Sequence, residues 1–475
     1  MKQCVSEDGI LFTPRHKTGH GLKKELVKSV LDFYDDDEVS RVMPGQRDCV
    51  SEVKDGVRQL SQKRLLTMSL KETFGYFKET HADTKIGISS FAALRPKHCK
   101  LLGTSGSHNV CVCTIHENVD LILTALKKIN LPSDRAIYTE KIMCKDQERS
   151  SQCYLRLCQD CSDTTSFEAD LLDELEEKSI KEVSFEEWMF TDRCNIERKT
   201  VPLEEFTPLF AAKLSKFIYH DFIKTQQSQF LKNRKELLLD GEIIVICDFA
   251  ENYSFVLQDE MQAFHWNNSQ CTIHPFVVYY KDGNDLRNIS FVVISDVLNH
   301  DTVAVQLFIT KLLDFLKPKL EIRKCIFMSD GAASQYKNRK NFSCICGFKD
   351  KYNVEIEWHF FATSHGKGPC DAIGGTVKRM AARASLAKEH EHPITNPRQL
   401  YDWLTNCEKT KMSFCFVTTD EYKKASKKFS SQFKKAKPIP GTQKHHCFIP
   451  ISSTQIATKL FSNSNEPSKL FDVYK

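Results

Sequence analysis

The sequence predicts a mixed α/β fold, a sheet flanked by helices, preceded by a helical region and a cysteine-rich region. Three observations lead there. Apolar runs of strand length alternate with helix-period segments between residues 242 and 387. Two of those runs flank a turn containing Asp282 and Gly283, which marks a hairpin. Upstream of residue 165, cysteines gather in two groups with ligand-like spacing.

The elements follow in order. LKKELVKSVLDFYD (22–35) and QKRLLTMSLKETFGYFKET (62–80) carry apolar residues at helical spacing, which predicts a small helical N-terminal region. Residues 203–239 read as one long helix or two. From residue 242 the period changes, and EIIVIC is a buried-strand run. PFVVYYKDGNDLRNISFVVIS supplies the hairpin, and DTVAVQLFITKLLDFL returns to helical spacing. KCIFMSD is a strand ending on Asp330, VEIEWHFFA a fifth strand, and GPCDAIGGTVKRMAARASLA a helix with Pro369 near its first turn. Ligands in such sheets usually lie at strand ends.

This order divides the chain into 1–95, a helical region and candidate DNA-binding unit; 96–165, cysteine-rich and zinc-binding; 166–240, an acidic segment with linking helices; 241–390, the sheet core; and 391–475, a basic region. The 475 residues are enough for two to four domains. No apolar run approaches the roughly 20 residues of a membrane helix, so no membrane partner is expected. MKQCVSEDGILF lacks the regions of a signal peptide, and an intracellular protein is expected. A net charge of +5 is a weak bias toward anionic partners. Its distribution is more telling, because Lys423, Lys424, Lys427, Lys428, Lys434, Lys435 and Lys437 crowd one stretch. Such a run reads as a solvated face or as a contact for nucleic acid or nuclear import.

Asp248 follows the first strand of the core, Asp330 follows the fourth, and Asp371 sits in the first turn of the helix after the fifth. If strands one and four are neighbours, the first two carboxylates meet at one edge and the helix brings the third over them. Convergent carboxylates raise one another's pKa, and a divalent cation resolves the conflict. Hard oxygen donors suit Mg²⁺ or Mn²⁺, and two ions about 3.5–4 Å apart support in-line phosphoryl transfer. The plainer reading is that each aspartate caps a helix or tightens a turn, as Asp330 before GAASQYKN would.

The segment from Gly241 to about Ala387 resembles the catalytic core of DDE/DDD-type DNA transposases, and more closely the transposon-derived proteins of animal genomes. The motifs that carry this are DFAENY (248–253), FHWNN (264–268), FVVISD (291–296), SDGAASQYKNR (329–339), WHFFATSHGKGPCD (358–371) and GGTVKR (374–379). The resemblance implies an RNase H-like core over 241–390 and a two-metal nuclease and strand-transferase acting on DNA in the nucleus, or a domesticated descendant. Assembly into a homo-oligomer is a further candidate. Asp248, Asp330 and Asp371 would hold the metal, with Glu251 as a rival ligand. His365, Lys367 and Lys378 are candidate DNA contacts, and Gly366 and Gly368 would let backbone approach a phosphate. Trp266 and Phe264 are candidate base-stacking groups, with Asn267 and Asn268 beside them. The alternatives are a non-catalytic DNA-binding or chromatin protein that keeps the fold, and an RNase H-like nuclease acting on RNA or hybrids.

The 19 cysteines, without a secretory signal, do not suggest a disulfide framework. Cys247 and Cys325 lie in apolar runs and read as core residues. Cys144, Cys153, Cys158 and Cys161 end in a CxxC knuckle and predict a Cys₄ zinc site. Cys99, Cys111, Cys113 and His116 suggest a second Zn²⁺ site, with His108 as a rival ligand. Both sites would be structural, because four protein ligands leave no open position.

Overall fold

The computed structural model describes residues 22–474 except 37–38, 43–48, 55–56, 67–69, 82–83, 102–112, 146–148, 191, 193, 257–268, 367, 387–393, 408–409 and 466–468. The chain divides into two compact units, Met1–Val110 and Cys111–Lys475.

The first unit contains α1 (Lys24–Asp35), β1 (Ser40–Val42), β2 (Cys49–Lys54), β3 (Val57–Gln62), β4 (Arg64–Leu66), α2 (Leu70–Thr80), α3 (Ile88–Ala93) and β5 (Cys99–Lys100). Strand β4 lies between β1 and β5, and β2 pairs with β3. This corrects the expectation of a helical region with one helix over 62–80. Residues 64–66 are a strand, because their backbone groups are taken by Ser40–Val42 on one side and by Cys99 and Lys100 on the other. Phe33, Tyr34, Phe77 and Phe91 form the buried centre of this unit.

The second unit begins with α4 (Thr114–Lys128), α5 (Arg135–Lys141), α6 (Ser151–Tyr154), α7 (Thr165–Glu177), the hairpin β6 (Glu182–Phe190) and β7 (Cys194–Pro202), and α8 (Leu203–Glu236). The expectation over 203–239 resolves as one helix of 34 residues. Its first half buries Phe206, Phe210 and Leu214 among α4, α5, α7 and β6, and its second half buries Phe230 against the main sheet. Gln227 on the same helix donates to the Phe360 carbonyl at 2.8 Å and accepts from the Ser462 amide at 2.8 Å. The helix is therefore a beam joining the helical part to the sheet.

The sheet is built from β8 (Glu242–Cys247), β9 (Tyr253–Ser254), β10 (Gln270–Asp282), β11 (Asp285–Ser295), α9 (Thr302–Leu316), β12 (Lys324–Ser329), α10 (Arg339–Cys346), α11 (Phe348–Tyr352), β13 (Glu355–Phe360), α12 (Pro369–Leu386), α13 (Pro397–Thr405), β14 (Ser413–Val417), α14 (Thr419–Lys435), β15 (Cys447–Pro450), β16 (Gln455–Lys459) and β17 (Lys469–Asp472). The strand order is β14–β11–β10–β8–β12–β13–β15–β16–β17, with β9 on β10. It is a mixed sheet: β8, β12 and β13 are parallel neighbours, while β10 is antiparallel to β8 and β11. Ile243, Val245 and Cys247 face α9 to α11, and Ile244 and Ile246 face α8 and the start of α12. This period-two split buries the central strands on both faces.

The caps are local. The Asp301 side chain accepts from the Ala304 amide at 3.0 Å and starts α9. Gly283, at φ +62°, supplies the left-handed residue of the hairpin turn. Residues 391–475, predicted only as a basic region, also contain strands not predicted from the sequence. Strand β14 adds to one edge of the sheet in parallel to β11, and β15 to β17 add to the other. Between them, α14 buries Phe429 and Phe433 and leaves its six lysines of 423–435 exposed, as is Lys437 just after it.

Candidate functional site

Asp248 and Asp330 leave neighbouring strands at the same end. The parallel register pairs Met328 with Ile246, so two residues further on Asp330 is level with Asp248. Asp371 is in the first turn of α12. The Cys370 thiol pins that turn over the strand ends, donating toward the Ile246 carbonyl at 3.4 Å and the Pro275 carbonyl at 3.6 Å. Gly374 brings α12 close to the segment leaving β8, where a Cβ on it would stand 2.9 Å from that of Ala250.

The acids feel one another. Burial, then the charges of Asp330 and Asp371, push the Asp248 carboxyl up to about 8. Burial and Asp371 also raise Asp330, although the Ala332 amide, donating at 3.2 Å, works against them. Asp371 is exposed and accepts from the Gly368 amide at 2.8 Å. Among the described residues the three acids do not each place a ligand atom within 4.8 Å of the others. Gly366 closes over this edge, where a Cβ would come 3.0 Å from that of Asp330. Lys378 is half-buried, and burial lowers its pKa while the charge of Glu251 opposes the shift. Glu251 is exposed and acts on this lysine. Lys367, Trp266, Phe264, Asn267 and Asn268 lie outside the described residues.

Cys144, Cys153, Cys158 and Cys161 come together with all four sulfurs within 4.8 Å of one another. The Cys144 and Cys158 sulfurs are 3.7 Å apart. Backbone amides of Asp160 and Cys161, the knuckle itself, hold the Cys158 thiol below its usual range. Arg149 donates to the Cys144 carbonyl at 2.9 Å and Arg156 to the Ile142 carbonyl at 2.7 Å, which ties the two arms of the loop together. This is a soft four-sulfur donor set able to hold Zn²⁺.

The second expected set is divided. Cys111 and His108 lie outside the described residues. Cys99 belongs to the first unit and stands with Asp35 and His98. Cys113 and His116 gather instead with His220 of α8 and His365, the latter expected as a DNA contact. Spacing along the chain cannot register such a group, because Cys113 and His220 are 107 residues apart. A signal was nonetheless present: His220 lies three residues from each of Phe217 and Ile223, on the buried stripe of α8.

Residues 227–462 match a family described as Domain of unknown function (DUF8701), 21–103 one described as DUF8699, and 114–218 one described as DUF8700. No curated protein matches the chain. Among solved structures, Ciona intestinalis endonuclease V in complex with a 24mer DNA is similar at 10% identity, covering 53% of this chain and 83% of that one. The TM-score of that superposition is 0.15. No helix among the described residues is long and apolar enough to cross a membrane.

Proposed function

We propose that this protein is a metal-dependent nuclease and strand-transferase acting on DNA, built on an RNase H-like core as in DDE/DDD-type transposases, or a domesticated descendant of one. The observation that carries this is the parallel pairing of β8 with β12, which brings Asp248 and Asp330 out at one sheet edge, where the charge of Asp371 acts on both. The order β11–β10–β8–β12–β13 supports the RNase H-like reading, with its first strand at the centre and its later strands reached through helices.

The donor chemistry suits Mg²⁺ or Mn²⁺, since three carboxylates supply hard oxygen donors and burial with neighbouring charge raises the pKa of Asp248 and Asp330. When bound, two such cations supply the positive charge that polarises a water or 3′-hydroxyl and steadies the leaving oxygen. The chain's own part is to orient. Strand ends fix Asp248 and Asp330, the buried Cys370 fixes the turn that carries Asp371, and Gly366 lets backbone lie against Asp330. Lys378 and the exposed lysines of α14 are the groups to meet phosphates. A DNA substrate places the protein in the nucleus. The four cysteines 144, 153, 158 and 161 would act as a zinc staple away from the chemistry.

A second reading keeps the fold and the DNA binding without catalysis. Asp330 and Asp371 already accept backbone amides, as turn and cap residues do, and that favours it.

Asp330→Asn separates the two. The substrate is duplex DNA carrying any inverted repeats that flank the coding sequence, with random duplex and an RNA–DNA hybrid as controls. With Mg²⁺ or Mn²⁺ the native chain should cut or join the repeat-bearing ends, and the variant should lose at least about 100-fold of that rate. Binding at fixed salt should be unchanged, because phosphate contacts dominate affinity. Equal cleavage by both proteins would remove Asp330 from the mechanism. Cleavage of the hybrid alone would redirect the activity to RNA.

A further inference from the structure

We infer that Cys113, His116, His220 and His365 bind one structural Zn²⁺ that fastens the start of α4 and the middle of α8 to the loop between β13 and α12. One ligand atom from each lies within 4.8 Å of all the others. The three imidazoles surround the thiol, with ring centroids 5.3, 5.1 and 5.0 Å apart. The Cys113 sulfur is 3.3 Å from His220 Nε2.

Two further observations point to an ion rather than to a packed polar core. His116 Nδ1 and His365 Nε2 are buried with no hydrogen-bond partner, which is costly for a ring nitrogen unless something accepts its lone pair. The other nitrogen of His116, Nε2, bonds Asp221 Oδ1 at 3.0 Å. A carboxylate on the far nitrogen is how metal-bound histidines are oriented and made more basic. Asp221 is itself tied to Lys224 at 3.1 Å. One cysteine sulfur and three imidazole nitrogens make a four-coordinate set suited to Zn²⁺, with no position left for substrate.

The site also has a structural task. His220 sits where α8 passes from the helical part to the sheet. His365 is next to Gly366, which packs on Asp330. The ion would hold that loop in place across more than 200 residues of sequence, from Cys113 to His365.

The test uses the full chain, produced with added zinc and purified without chelator. Counting the four-cysteine site, two zinc ions per chain are expected, with five sulfur and three nitrogen neighbours shared between them. Zinc content and X-ray absorption at the zinc edge read these directly. His365→Asn should lose one ion and shift the remaining neighbours to sulfur. Cys158→Ser should lose the other ion and shift them toward nitrogen. The X-ray reading of the native chain does not depend on any variant folding. All-sulfur neighbours in the native chain, or undiminished zinc in a folded His365→Asn protein, would overturn the assignment.

Discussion

Cys99 and Cys113 are 14 positions apart in one cysteine-rich stretch, and they have become different kinds of residue. Cys99 is fully buried with a carboxylate and a carbonyl as neighbours, its sulfur 3.8 Å from Asp35 Oδ1 and 3.5 Å from the Tyr34 carbonyl. Burial, reinforced by the Asp35 charge, pushes this thiol up to about 12. His98 is bonded to Asp35 at 2.6 Å. The thiol stays protonated and donates. Cys113 is also buried, but three imidazoles face it. Burial alone does not decide whether a cysteine is a core residue or a ligand. The sign of its neighbours does.

The sharpest way to break this contrast is to strip metal from the whole protein. Exchange of backbone amides should then speed up about 100-fold or more near the start of α4 and in residues 361–366, because bound metal contributes folding free energy. Residues 88–100, around Cys99, should not respond. Equal acceleration in both places would mean that Cys99 also holds an ion. No acceleration in either would leave Cys113 as a core residue.

A second test asks whether a buried histidine behaves as Cys99 does when nothing supports its charge. His274 is buried among Phe249, Phe276 and Phe308, with Nε2 2.8 Å from the Tyr336 hydroxyl. Burial lowers its pKa to about 3. A depressed folded value means that its contribution is complete above the unfolded value near 6.5 and is lost as pH falls toward 3. Replacement by glutamine keeps a hydrogen-bonding group and removes the titration. In urea unfolding, the stability advantage of the native chain over His274→Gln should shrink by about 1.4 kcal/mol per pH unit between about pH 6 and pH 4. A constant difference would show that His274 is already solvated.

Local chemistry was legible in the sequence, and long-range geometry was not. Strands β8, β10, β11, β12 and β13 were readable because each is an apolar run too short for a helix and bounded by turn residues. The placement of Asp248 and Asp330 at strand ends followed from those runs. The four cysteines of 144–161 were readable because they meet within one short stretch of chain. Strand β4 was hidden, since its three residues sit in a helix-period stretch and its partners are distant in sequence. Strands β14 to β17 are short, and the lysine-rich stretch between β14 and β15 masks their apolar pattern. His365 sits in the glycine-rich stretch SHGKGP, whose composition suggests a phosphate contact rather than a metal ligand. Only the packing of α8 against the sheet brings His220 to it.

The smallest expected effect returns to Cys99. Cys99→Ser should leave the zinc content of the protein unchanged, because the thiol it replaces is protonated and already donates to backbone. Serine keeps that donor, and its hydroxyl can reach the same Tyr34 carbonyl. It loses the larger, more polarisable sulfur from a site walled by Tyr34 and Phe91. The first unit should therefore lose about 1 kcal/mol, a modest repacking cost with the hydrogen bond retained. Metal analysis and urea unfolding of the same preparation check both halves. Loss of a zinc ion would place Cys99 with Cys113 among the ligands and undo the contrast. A stability loss of several kcal/mol with zinc intact would mean that the Asp35–His98–Cys99 network, rather than its aromatic wall, holds the first unit together.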